Sequence, residues 1–146
     1  MLSSEISTGL VAGLVSTALM SLFEYPIWRK WGMEGVSEWH MNQVMAGRLL
    51  HRSTESVVAQ GLLLHFLHGG LAGIVFALLL PTIPSIPSIE TGVGFGIALW
   101  IIALAIMKPV TGVGFSRHPL MPLPLIVSLA GHVLYGFLLG LVVTMA

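Results

Sequence analysis

An all-α membrane protein, a four-helix transmembrane bundle, is the fold class this sequence predicts, and three observations predict it. Of the 146 residues, 55% are hydrophobic and only 8% charged, with a mean hydropathy of +0.95. A soluble domain carries about 25% charged residues because water must wet its surface; six Lys+Arg and six Asp+Glu cannot do that here. Second, four apolar stretches are each long enough to cross a bilayer, which takes roughly 20 helical residues. Third, the two halves of the chain resemble each other. The length suits a single transmembrane domain spanning residues 1–146. Such a composition excludes a soluble enzyme and a disordered chain. A net charge of zero without a basic stripe excludes a nucleic-acid binder. With no cysteine, disulfides, thiolate zinc sites and iron–sulfur clusters are excluded as well.

The first predicted span covers about residues 6–28, too long for a removable signal peptide and without its basic start or cleavage site. The others cover about 57–80, 89–108 and 122–145. Pro122 and Pro124 suit the opening turn of the fourth, where a missing N–H costs nothing. Pro26, Pro81 and Pro109 stand where helices are expected to stop. Between the first two spans, Met41, Val44, Met45 and Leu49 recur at helical spacing opposite Asn42, Gln43 and Arg48. This pattern predicts a short amphipathic helix at the membrane interface over residues 37–51. The 81–90 connection repeats Ile-Pro-Ser and is expected to be short and extended.

Charge sets the expected orientation. Arg29, Lys30, Arg48 and Arg52 lie between spans one and two, and Lys108 and Arg117 at the end of span three and beyond it. The N-terminus, the 81–90 connection and the C-terminus hold no Lys or Arg. The positive-inside rule then turns both termini away from the cytoplasm, in the inner or plasma membrane. Trp28, Trp31 and Trp39 fit an aromatic belt at the cytoplasmic interface.

TGLVAGLVSTALMSLFEYP, from Thr8 to Pro26, aligns without a gap on TGVGFGIALWIIALAIMKP, from Thr91 to Pro109. His65, Gly69 and Gly73 in span two match His132, Gly136 and Gly140 in span four. Each half is therefore expected to be a helical hairpin, two similar hairpins related by a pseudo-twofold along the membrane normal. Glycines four apart let helices approach closely where lipid supplies no hydrophobic drive for association.

Glu24, His65, His68 and His132 lie inside apolar segments, where ionisable side chains are rare and candidates for function. At 1.5 Å per residue, Glu24 lies about 6 Å, His65 about 12 Å and His132 about 15 Å in from the cytoplasmic ends of their spans. His68 falls near the midplane. Two imidazoles and a carboxylate suit a divalent metal ion (Zn, Fe or Cu), with His68 as an additional ligand. Alternatively, His65 and His132 clamp a haem from opposite sides, with the neighbouring glycines making room for the porphyrin. A third chemistry is a metal-free proton relay between Glu24 and the histidines. The fourth is plain hydrogen bonding across helix interfaces. Tyr135 lies beside the His132 face and is expected to hydrogen-bond within the bundle. His40, His51 and His118 are expected to be ordinary interfacial residues, and the methionines packing residues. No hydrolase motif occurs.

GLVAGLVS…FEYP in span one, HGG in span two, KPVTGVGF after span three and AGHVLYG in span four are similar to the YagU-like group of small four-span inner-membrane proteins. The matching positions are Glu24 and Pro26, His65, Pro109 and Gly112, and Gly131 and His132. That resemblance implies the four-span fold and, for physiology, no more than a link to acid tolerance. The expected function is a small polytopic membrane protein with an intramembrane Glu/His site that binds a metal ion or handles protons. Its alternative is a non-catalytic accessory subunit in a larger membrane enzyme complex. Expected partners are membrane lipid and other membrane subunits or a second copy of the chain.

Overall fold

A computed structural model describes residues 2–31, 38–112 and 123–145. Among them are five α-helices and no strand: α1 (Leu2–Trp31), α2 (Glu38–Leu50), α3 (Val58–Leu79), α4 (Ser88–Thr111) and α5 (Leu123–Met145). Short 3-10 turns at Thr54–Val57 and Leu80–Thr82 extend α3 at both ends. The four helices other than α2 are long and apolar enough to cross a bilayer. This is a multi-pass membrane protein. Arg117, His118 and Pro122 lie outside the described residues, as do Ser37 and the side chains of Trp28, Trp31 and Lys108.

Two prolines do not end their helices as expected. Helix α1 runs through Pro26 to Trp31, and α4 through Pro109 to Thr111. Each proline falls in the last two turns, where only a short stretch of ladder follows it, and apolar surroundings tolerate a helical proline better than water does. Pro81 does sit at a stop, inside the 3-10 turn after α3.

Glycine decides which helices meet. A Cβ on Gly9 would fall 2.6 Å from the Gly73 carbonyl oxygen, and one on Gly13 would run into that of Gly69. Backbone therefore touches backbone along an antiparallel α1–α3 seam. Helices α4 and α5 meet in the same way: Cβ atoms on Gly92 and Gly96 would run into the carbonyl oxygens of Gly136 and His132. Helix α5 also packs on α1, which joins the two seams. A small core of Ala12, Met20, Phe76, Tyr135 and Leu139 fills the centre.

The fourth side of the bundle is open. Helices α3 and α4 do not form a packed pair; Phe76 and Phe95 bring them together with ring centroids 5.4 Å apart. At the opposite end α2 spans the gap, packing on α3 and touching α4. A Cβ on Gly61 would meet the Gln43 backbone at 2.5 Å, so only glycine admits α2 this close. The buried side of α2 holds Met41, Asn42, Gln43 and Ala46, whereas Leu49 is 67% exposed. The helix thus turns polar residues toward the protein. Its end is a Schellman cap, with Arg52 N–H donating to the Gly47 carbonyl, His51 N–H to that of Arg48, and His51 left-handed at φ 51°.

Candidate functional site

The open side leads to a cavity of about 300 Å³ reached by all five helices. Helix α1 supplies Thr17 and Met20, α2 Asn42, α3 His65, His68, Gly69 and Ala72, and α5 His132 and Tyr135. Helix α4 supplies only Leu99, Ile102, Ala103 and Ile106, an apolar wall. Three of the four residues singled out from the sequence, His65, His68 and His132, thus share one space. His65 and His132 are 5% and 6% exposed, while His68 is exposed at the mouth.

Glu24 is completely buried but is not part of the cavity lining. Its carboxylate lies against α5, where a Cβ on Gly131 would come within 2.5 Å of Oε1. The depth expected from the sequence holds only in this sense: Glu24 meets the helix of His132 at the adjacent residue. Among the described residues, no three His, Cys, Asp or Glu side chains stand close enough together to hold a metal ion. The glycines near each histidine are filled by the facing helix: Thr17 covers Gly69, and the Gly92 backbone covers Gly136. They make the seams, not room for a porphyrin.

Hydrogen bonds fix the ring protons. A neutral imidazole has one N–H and one acceptor nitrogen. His132 Nδ1 lies 2.9 Å from the Ser128 carbonyl oxygen. A carbonyl only accepts, so Nδ1 carries the proton and Nε2 keeps its lone pair. His65 Nε2 lies 2.9 Å from Ser21 Oγ. That hydroxyl also lies 2.8 Å from the Thr17 carbonyl, which can only accept; the arrangement that keeps both bonds has Ser21 accept from His65, with Nδ1 as the basic atom. His68 Nδ1 donates to Asn42 Oδ1 at 2.8 Å, leaving Nε2. Tyr135 donates to the Gly69 carbonyl at 2.7 Å, as expected of a polar tip within the bundle, and Thr17 donates to the Gly13 carbonyl at 2.7 Å.

Of these supporting residues, Thr17 and Ser21 had a sequence signal. They continue the four-residue spacing of Gly9 and Gly13, so the glycine seam becomes a hydroxyl seam at the level of the histidines. Asn42 had none, because its place depends on how α2 folds back on α3. Ser128 takes part through its backbone, which no side-chain pattern announces.

A family model matches residues 3–146 and describes a family of unknown function, DUF6789. No curated protein and no solved structure matches the chain.

Proposed function

The chain belongs to the DUF6789 family, and from its own side chains we propose that the bundle carries an intramembrane histidine site whose neutral imidazoles accept a proton or a divalent metal ion. The observation that carries this reading is the tethering of all three rings. His65, His68 and His132 line one cavity, and each has its N–H held by a protein acceptor. The remaining nitrogen of each is a base. Glu24, buried against the helix of His132, adds an acidic group next to the cavity's α5 wall.

The proton version uses the side chains as they stand. The metal version draws on the same tethering, since a metal-binding histidine usually donates its other N–H to a carbonyl or similar acceptor. It also requires a third donor to move in, because no ready group of three exists among the described residues. Zn, Fe and Cu are the ions that imidazole suits.

The placement in the membrane follows the same charge rule as before. The positively charged α1–α3 connection lies in the cytoplasm, the termini face away from it in an inner or plasma membrane, and α2 lies at the cytoplasmic interface. The matching glycine seams support descent from a duplicated hairpin.

Metal analysis and histidine nitrogen spectra of purified protein test the reading together. Near-stoichiometric Zn, Fe or Cu in the wild type, lost in His65→Ala and His132→Ala, supports the metal version. No metal, with His65 or His132 becoming imidazolium as pH falls while the fold persists, supports the proton version. Neither result removes the site.

The accessory-subunit reading rests on α4, whose apolar membrane-crossing stretch is only 6% buried. A stable complex with other membrane subunits, together with a metal-free and non-titrating histidine cavity, would favour it.

A further inference from the structure

We propose that the gap between α3 and α4 is a sideways entrance from the bilayer to a binding site for a lipid-soluble molecule with a hydroxyl-bearing ring, of the alkylphenol or quinol type. This rests on the histidine tautomers that also underlie the proton or metal reading, and names the neutral ligand that the same lone pairs select.

Three features locate the entrance. Phe76 and Phe95 close the gap at one end and α2 closes it at the other. Between these closures the rim is formed by Ile102 and Ile106, 51% and 56% exposed, and by His68. An ionisable side chain at such a position is a candidate for function. Among the described residues, no element packs across that stretch to shut it.

The cavity chemistry restricts the visitor. Thr17 and Tyr135 have given their hydroxyl hydrogens to helix carbonyls, and the three histidines have given their ring protons to Asn42, Ser21 and Ser128. The hydroxyls and imidazoles of the lining therefore offer lone pairs. Such a lining accepts hydrogen bonds and rewards a donor. It rejects a phosphate or carboxylate head, because its acceptors would face another acceptor and, among the described residues, no Lys or Arg lines it. It equally disfavours a ring that bears only ether or carbonyl oxygens. About 300 Å³ lies at the small end of ligand cavities, the size for one substituted ring with its tail left in the entrance. The apolar α4 wall, with Leu99 and Ala103, supplies the face for that ring.

Wild-type protein in nanodiscs is titrated with a fluorinated alkylphenol and, separately, with its methyl ether, using empty nanodiscs to subtract partition into lipid. Fluorine NMR should show the phenol bound at least about tenfold more tightly than the ether, the worth of one lost hydrogen bond. Ala103→Phe, which fills the cavity from the α4 side, should remove phenol binding without altering the histidine nitrogen shifts. Equal binding of phenol and ether, or no binding of the phenol above the lipid background, overturns the proposal. This comparison needs no variant and stands even where Ala103→Phe fails to fold. If the ring tautomers are as assigned and the two probes bind alike, only the ligand inference falls; if the tautomers differ, the histidine-site reading falls with it.

Discussion

The α1–α3 pair and the α4–α5 pair start from the same seam and end with different chemistry. In the gapless alignment of the two halves, Gly9 and Gly13 correspond to Gly92 and Gly96. Thr17, Ser21 and Glu24 correspond to Trp100, Leu104 and Met107. The two hydroxyls and the carboxyl that α1 brings to the level of the histidines thus have no counterpart on α4. The seams also differ in register. Gly9 meets Gly73 in the first pair, whereas its counterpart Gly92 meets Gly136, the counterpart of Gly69, so the second pair is slid by one helical turn. Together these differences explain the rings. His65 finds a hydroxyl on α1 and is protonated at Nε2; His132 finds none on α4, turns to its own helix and is protonated at Nδ1. A shared helix motif fixes where a histidine stands, and the facing helix fixes which nitrogen is basic.

The largest effects should come from the seams, which the pairs have in common. Gly13→Leu and Gly96→Leu each force a side chain into a facing carbonyl and should cost about 3 kcal/mol or more. Gly94→Leu, where nothing lies within 4 Å, should leave stability within about 0.5 kcal/mol of wild type. Thermal unfolding in a single detergent ranks all three. A seam variant as stable as the Gly94 control would break the packing account.

Tyr135→Phe acts between the pairs, since its hydroxyl on α5 bonds to the Gly69 carbonyl on α3. A loss of about 0.6–1.5 kcal/mol is expected, the range for a hydrogen bond in a helix bundle. Denaturant titration followed by Trp fluorescence measures it.

A sharper contrast comes from two serines, each one partner away from a histidine. Ser21→Ala removes the acceptor for His65 and should shift its ring nitrogens toward a tautomer mixture, at a cost of about 0.6 kcal/mol. Ser128→Ala keeps the backbone carbonyl used by His132 and should leave that ring unchanged. Nitrogen NMR that showed the same response at both rings would erase the distinction between the pairs.

The smallest effect is expected at Arg48, an exposed side chain that donates to the Val110 carbonyl near the end of α4. Arg48→Ala should lower stability by no more than about 0.5 kcal/mol in the same unfolding measurement, since the carbonyl it leaves can turn to water.

Much of this fold is written in local pattern. Span lengths follow from apolar runs, and the partners of α1 and α4 follow from glycines four residues apart. The shared level of His65 and His132 follows from depth, and the histidine–glycine face they have in common turns both inward. Depth carries no information about direction around the helix axis, which is why Glu24 lies at Gly131 and not among the cavity residues. The one-turn slide, the gap between α3 and α4 and the reach of Asn42 from α2 each depend on how separate helices settle together. None leaves a periodic trace in the chain. Helix α2 makes the point in reverse: its helical spacing was legible, but the side carrying Asn42 and Gln43 is buried because Gly61 lets the backbone in on that side.

Nitrogen-15 NMR of selectively labelled histidine in lipid nanodiscs tests the central claim most directly. At neutral pH, His65 should carry its proton on Nε2, and His68 and His132 theirs on Nδ1, with the basic nitrogens resolved as such. Finding His65 and His132 in the same tautomer, or any of the three rings doubly protonated at neutral pH, would contradict an acceptor-lined cavity.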